Sequence, residues 1–279
     1  MRKIDKSLLI SEIKKLIFEC AFNINPKIIA SLEKSKEEEI SPLGKSTLSK
    51  IIENDILARK KTIPICQDTG VTVVFLEIGM GICFDYDLTE TINQAVKEAY
   101  EEFYLRKSIV KHPLDRINTL TNTPCIIHTK IVNSKNLKIT LTIKGAGSEN
   151  MSKLKMLSPA DGDIGVVNFV LETIEASGGN ACPPMIVGVG LGGNFEQAAL
   201  LSKEALLRDI DDESSNPIDN NLEKKIFEKA NKLGIGPMGL GGKSTVLAVK
   251  INSFPCHIAS LPVAVNIQCH ASRTKSIIL

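Results

Sequence analysis

Apolar positions recur at three- and four-residue spacing through the first part of the chain, at Leu8, Ile13, Leu16 and Ile17, at Ile28, Ile29 and Leu32, and at Leu48, Ile51 and Ile52. This periodicity predicts a helical region over residues 1–59, with the charged run 33–39 as a solvated helix end or turn. The pattern changes at Pro64, where PICQDTGVTVV reads as a turn that enters a β-branched strand. Ile92, Ala95, Val96 and Ala99 predict a helix over 88–106, closed by a polar connector at His112 and Pro113. Residues 125–132 and 137–143 alternate and read as a hairpin turning at 134–136. A glycine-rich corner, KGAGSENMSK, then precedes a helix over 165–176.

The densest stretch is 177–208. Cys182 stands before Pro183 and Pro184. A short apolar run at 185–189 reads as a buried strand, and Gly190, Gly192 and Gly193 allow a tight turn. A helix follows on Ala198, Leu201, Ala205 and Leu206, with Asn194 as N-cap and Lys203 and Arg208 toward its C-terminal end. A cysteine held by two rigid residues near a helix N-terminus is well placed to be a thiolate. Residues 209–221 are the most loop-like of the chain. They lead to a helix at 222–233, a third glycine cluster in GIGPMGLGGKST, a strand at 246–251, and an apolar tail, CHIASLPVAVNIQCHASR. Helices and strands alternate, so the expected class is α/β: a mixed sheet layered with helices and preceded by the N-terminal helical region. The expectation is a single domain over 1–279, with its α/β part at 60–279.

A chain of 279 residues buries a real core. With 34 basic and 32 acidic residues, scattered and not striped, no charge field argues for nucleic acid. No tryptophan is present to supply a base-stacking surface. Seven cysteines, an odd count in a long chain without a leader-like segment or long apolar run, point to the reducing cytoplasm, to no membrane and to no disulfide framework.

Two glycine clusters imitate nucleotide motifs. Gly188, Gly190 and Gly193 satisfy GxGxxG between a strand and a helix, but Asp209, about twenty positions on, ends a helix where a second strand should end. GGKST resembles the end of a phosphate loop, yet its first glycine would fall on Pro237 and a strand follows Thr245, so no helix N-terminus faces a phosphate. Cys20, Cys83, Cys125 and Cys256 read as small buried hydrophobes. Cys66, Cys182 and Cys269 lie instead in turns or strand ends crowded with polar or conformationally special residues. Three separated thiolates could hold three corners of a [4Fe-4S] cluster and leave one iron open as a Lewis acid. His112 and His128 read as surface residues. His257, beside Pro255 and Cys256, is an odd place for a polar ring unless it reaches a cavity.

Six motifs in order carry a family likeness: CQDTG at Cys66, LRKS at Arg106, GSENMSK at Gly147, CPPMIVGVGLGG at Cys182, LGIGPMGLGG at Leu233 and HIASLPVAVNIQCHASR at the tail. Together they resemble the α subunit, or N-terminal region, of the iron-sulfur (class I) fumarases, and the L-tartrate dehydratase α subunit is similar too. The resemblance implies Cys66, Cys182 and Cys269 as ligands of a [4Fe-4S] cluster, and Gln67 and Asp68 as a substrate-contacting pair with Asp68 in proton transfer. It implies Arg106 as the holder of a substrate carboxylate, Gly147 as a backbone contact to substrate, and His257 as a second catalytic residue beside Asp68. It also implies a small dicarboxylate substrate and a separate β subunit that completes the site in a heterotetramer. The expected activity is a hydro-lyase interconverting malate and fumarate. L-tartrate dehydration, or a non-catalytic iron-sulfur scaffold or redox sensor, is the alternative.

Overall fold

A computed structural model describes residues 2–279. In chain order the elements are β1 (Arg2–Lys3), α1 (Lys6–Phe22), α2 (Pro26–Glu38), α3 (Pro42–Lys61), β2 (Val71–Gly79), β3 (Ile82–Cys83), α4 (Leu88–Glu102), β4 (Ile126–Val132) and β5 (Leu137–Lys144). Then come α5 (Ala146–Glu149), β6 (Lys153–Leu157), α6 (Gly162–Ser177), β7 (Met185–Gly192), α7 (Phe195–Ala205), α8 (Pro217–Ala230), β8 (Val246–Phe254), β9 (Leu261–Gln268) and β10 (Thr274–Ile278). The class is α/β with a helical N-terminal region, as the periodicity predicts. The described residues fall into two compact units, one of 2–25, 55–146 and 273–279, the other of 26–54 and 147–272.

In the first unit a four-stranded sheet runs β10-β5-β2-β4. Strand β2 is buried along most of its length and takes the centre, because a strand apolar on both faces needs cover on both. The expected hairpin of residues 125–132 with 137–143 does not form. Strand β2 lies between the two, parallel to β4 and antiparallel to β5. Their short connection crosses over the end of β2 at Gly79, whose N–H donates to Asn136 O; a Cβ there would sit 2.5 Å from Ser134 O. Alternation and a short polar link are thus the same for two strands flanking a third as for two strands paired. Helices α1 and α4 share a core with this sheet, built from Leu9, Ile13, Ile17, Ile92, Val96, Leu137, Ile139 and Leu141.

The second unit is organised on a sheet of order β6-β9-β7-β8. Successive side chains of β7 point to opposite faces. Met185, Val187 and Val189 join the core that also contains Val170 and Ile174 of α6 and Leu222 and Ile226 of α8. Gly188 and Gly190 face α7, and a Cβ on Gly190 would sit 1.9 Å from Ala198 O. The GxGxxG glycines therefore let a helix backbone lie directly on a strand. Helix α8 begins at Pro217, capped by the Asn216 side chain, inside the stretch expected to be loop; a proline at the first helical position behind an Asn cap is a start signal. Strands β6 and β10, both short, add edges that the alternation does not announce.

The run 33–39 is not wholly solvated. Glu39 is 2% exposed, and its carboxylate accepts backbone N–H groups from Ile40, Ser41, Lys243 and Ser244 at 2.8–3.1 Å. Burial pushes this carboxyl up, but the N–H groups of Lys243, Ser41 and Ser244 outweigh it and bring it down to about 2. The GGKST backbone, set aside as a phosphate loop, is nonetheless an anion cradle, and its anion is the internal Glu39 carboxylate. Gly242, at φ +130, lies so close that a Cβ would meet the Glu39 carboxylate at 2.8 Å.

Candidate active site

In the first unit the CQDTG segment turns into β2. Gly70 has φ +62, and a Cβ there would meet Lys144 O at 2.6 Å, so the motif's glycine is sterically required. Cys66 is half-buried, Gln67 is exposed and Asp68 is half-buried. The Asp68 carboxylate accepts Gly70 N–H through Oδ1 (3.0 Å) and Ala146 N–H through Oδ2 (2.8 Å). Each oxygen keeps a second lone pair for another partner. Arg106 follows α4, with its side chain exposed, and its carbonyl accepts the Thr69 hydroxyl at 2.7 Å.

Three buried side chains that the sequence does not single out hold this loop. Arg273 Nη1 donates to Asp68 O (2.7 Å), Tyr100 Oη to Thr69 O (2.6 Å), and Asn122 Nδ2 to Gly70 O (3.2 Å). Asn122 also accepts Ser108 N–H at 2.7 Å, tying the QDTG turn to the segment after Arg106. Burial pushes the Tyr100 phenol up to about 12, so it stays a donor. Tyr100 had a legible signal, since it continues the apolar face of Ile92 and Val96 and a buried hydroxyl needs a partner. Asn122, in the polar stretch 118–123, had none.

In the second unit β7 and β9 pair antiparallel, with Ile186 opposite Gln268. Cys182 precedes β7 and Cys269 follows β9, so the register brings both to one end of the sheet, where His270 N–H donates to Cys182 O at 3.5 Å. Cys182 has φ +53, and both cysteines are half-buried. Gly147 is exposed in α5. That turn is anchored by Glu149, which accepts Lys203 Nζ (2.6 Å) and Asn266 Nδ2 (2.9 Å), and by Ser152, whose hydroxyl accepts Asn266 Nδ2 (2.8 Å). His257 lies on an exposed loop after β8, its Nδ1 accepting Ala259 N–H at 3.1 Å. Cys256 beside it is exposed, not a small core residue, because β8 has run past the sheet core by Phe254. Cys83 is half-buried. Cys20 and Cys125 are buried, and burial pushes their thiols up to about 12 and about 11. His112 is exposed, and His128 stacks on Phe75 with ring centroids 4.9 Å apart.

Asp68 and Arg106 thus share one unit with Cys66 and Gln67, while Cys182 and Cys269 share the other with Gly147 and His257. Among the described residues no three His, Cys, Asp or Glu side chains are already drawn together as a metal site. Residues 10–278 match the family model described as fumarate hydratase (Fumerase). The chain belongs to the fumarate hydratase family.

Membership in the fumarate hydratase family makes the protein a hydro-lyase by class, and the matched region contains every candidate site residue. The chain is 45% identical over 268 residues, 93% of each chain, to a Methanocaldococcus jannaschii protein named provisionally as an L(+)-tartrate dehydratase α subunit. It is 35% identical over 256 residues, 90% of this chain and 84% of the relative, to the L(+)-tartrate dehydratase α subunit of Escherichia coli K12. The protein of that name from E. coli UTI89 is 36% identical over 250 residues, 88% and 82% of the two chains. Among the described residues no helix is long and apolar enough to cross a membrane.

Proposed function

We propose that this fumarate hydratase family chain is the α subunit of a [4Fe-4S] hydro-lyase that interconverts malate and fumarate plus water and acts with a separate β subunit in the cytoplasm. The observation that carries the reading is the Asp68 carboxylate, fixed by two backbone N–H groups yet retaining a lone pair on each oxygen, in the same unit as the exposed guanidinium of Arg106. The donor chemistry fits a cluster. Cys66, Cys182 and Cys269 are half-buried thiols at turns and strand ends, whereas Cys20 and Cys125 are buried in apolar cores as neutral thiols. Cys66, Cys182 and Cys269 would hold the cluster, which when bound supplies a Lewis-acidic iron for a hydroxyl-bearing substrate.

The chain's own groups divide the remaining work. Arg106 presents a planar fork suited to bidentate capture of one substrate carboxylate. Gln67, exposed and next to Asp68 in the chain, offers an amide donor and acceptor, and Gly147 offers backbone groups that no side chain of its own obstructs. Asp68 moves the proton: in the dehydration direction its free lone pair takes a proton from the carbon adjacent to the one that bears the leaving hydroxyl, the C–H electron pair becoming the double bond as the hydroxide departs, and in hydration it returns one. His257 stands on an exposed loop, where a partner subunit can cover it and exclude water.

A second reading, L-tartrate dehydration to oxaloacetate, is favoured by the names of the relatives; its substrate carries one further hydroxyl. Anaerobic reconstitution with iron and sulfide, alone and with the candidate β subunit, tests both on malate and L-tartrate in parallel. About four irons per chain with activity only in the pair is the expected result, and the preferred substrate decides between the readings. No cluster under these conditions refutes the mechanism. Asp68→Asn is expected to abolish turnover and keep the cluster's visible absorbance; full activity would reject the proton-transfer role. Cys182→Ala is expected to lose that absorbance.

A further inference from the structure

Arg273 is 3% exposed, and no carboxylate pairs with it among the described residues; its Nε finds no partner there either. A buried cation without a counter-charge costs several kcal/mol in desolvation, so packing alone gives little reason for a guanidinium at this position. What it does hold is the carbonyl of Asp68. Its Nη2 and the Asp68 Oδ2 both lie against Gly145, at 3.2 and 3.1 Å from the point where a Cβ would stand. Together with Tyr100 and Asn122, it clamps three successive carbonyls, those of residues 68, 69 and 70, while the Asp68 carboxylate is held by the N–H groups of Gly70 and Ala146. All of these contacts lie within one unit.

We infer that Arg273 is a positioning residue for Asp68, completing with Tyr100 a rigid clamp on the backbone that aims the proton-transfer carboxylate. The inference rests on the proton-transfer role proposed above for Asp68. An aimed base works because the reacting atoms are held near attack geometry, and a displacement of about 1 Å can cost about 100-fold in rate. The clamp's bonds to the turn are all to backbone carbonyls, so its loss moves the carboxylate and leaves the chemistry of that group unchanged.

The test uses the chain paired with its β subunit and loaded with cluster. Arg273→Met is expected to lower kcat about 100-fold with KM changed less than about threefold and iron content unchanged, and Arg273→Lys to recover part of the loss. Tyr100→Phe removes one oxygen without changing shape and should lower kcat about tenfold. Amide hydrogen exchange gives a readout free of activity: the Gly70 and Ala146 N–H groups should exchange at least tenfold faster in Arg273→Met, while the β2–β5 ladder keeps its protection. Wild-type kcat in Arg273→Met overturns the inference, as does unchanged exchange at both amides. Should Arg273→Met fail to fold, Tyr100→Phe decides, and wild-type turnover in it overturns the clamp. Asp68→Asn separates the two claims: full turnover there sinks the proton-transfer role itself, whereas an inactive Asp68→Asn beside active clamp variants sinks only the positioning.

Discussion

Replacing Glu39 with glutamine is expected to cost the protein about 3 kcal/mol of stability at pH 7. The residue is buried, and four backbone N–H groups donate to its carboxylate, two from its own chain turn and two from the Lys243–Ser244 loop some two hundred positions away. Holding a carboxyl at about 2, against an ordinary 4.5, corresponds to about 3 kcal/mol of preference for the ionised form. Glutamine keeps one acceptor and turns an NH₂ toward N–H groups that need an acceptor, so it forfeits the charge and part of the geometry. The sign follows from a folded value below the unfolded one. The stabilisation is complete above about pH 4.5 and is lost as pH falls toward about 2. Urea denaturation followed by circular dichroism should therefore show a gap between wild type and Glu39→Gln of about 3 kcal/mol at pH 7, smaller by about 0.8 kcal/mol at pH 4. A gap under about 0.5 kcal/mol at pH 7, or one that does not change with pH, would refute the assignment of the clasp.

The other expectations concern packing, buried charge and thiols. Gly190→Ala, which drives a methyl into the Ala198 carbonyl of α7, should destabilise by more than about 3 kcal/mol in urea, while Gly81→Ala, with open space around it, should stay within about 0.5 kcal/mol. Arg208→Met removes the partner of Glu223, which is 6% exposed, and a support of Asp212, to which the buried Lys250 also bonds. The loss should be about 3 kcal/mol, and added salt should change it little because the pair is buried. Iodoacetamide at pH 8 should label Cys256 first among these three and reach Cys20 and Cys125 only on unfolding, because burial holds both thiols in the neutral form; mass spectrometry of timed digests reads the order.

The sequence by itself determined the elements whose signals are local. Helical spacing at Leu8 to Ile17 and at Ile92 to Ala99, the Asn194 cap and the apolar run 185–189 each depend on neighbours within a turn or two, so they survive without knowledge of the fold. The motifs around Cys66, Arg106, Gly147, Cys182 and Cys269 were legible in the same way, as short strings. Strand order was not. Strand β2 separates two strands that read as a hairpin, because register and adjacency are decided by which strand must be covered on both faces. Tertiary structure alone also decided what buried polar groups are for. Glu39 sits in a charged run that looks solvated, yet it meets backbone donors two hundred residues away. Arg273 and Asn122 act on carbonyls in the QDTG turn from distant parts of the chain. A side chain's type states what bonds it can make; only the packed fold, by excluding water and bringing remote backbone within 3 Å, states which bonds it must make.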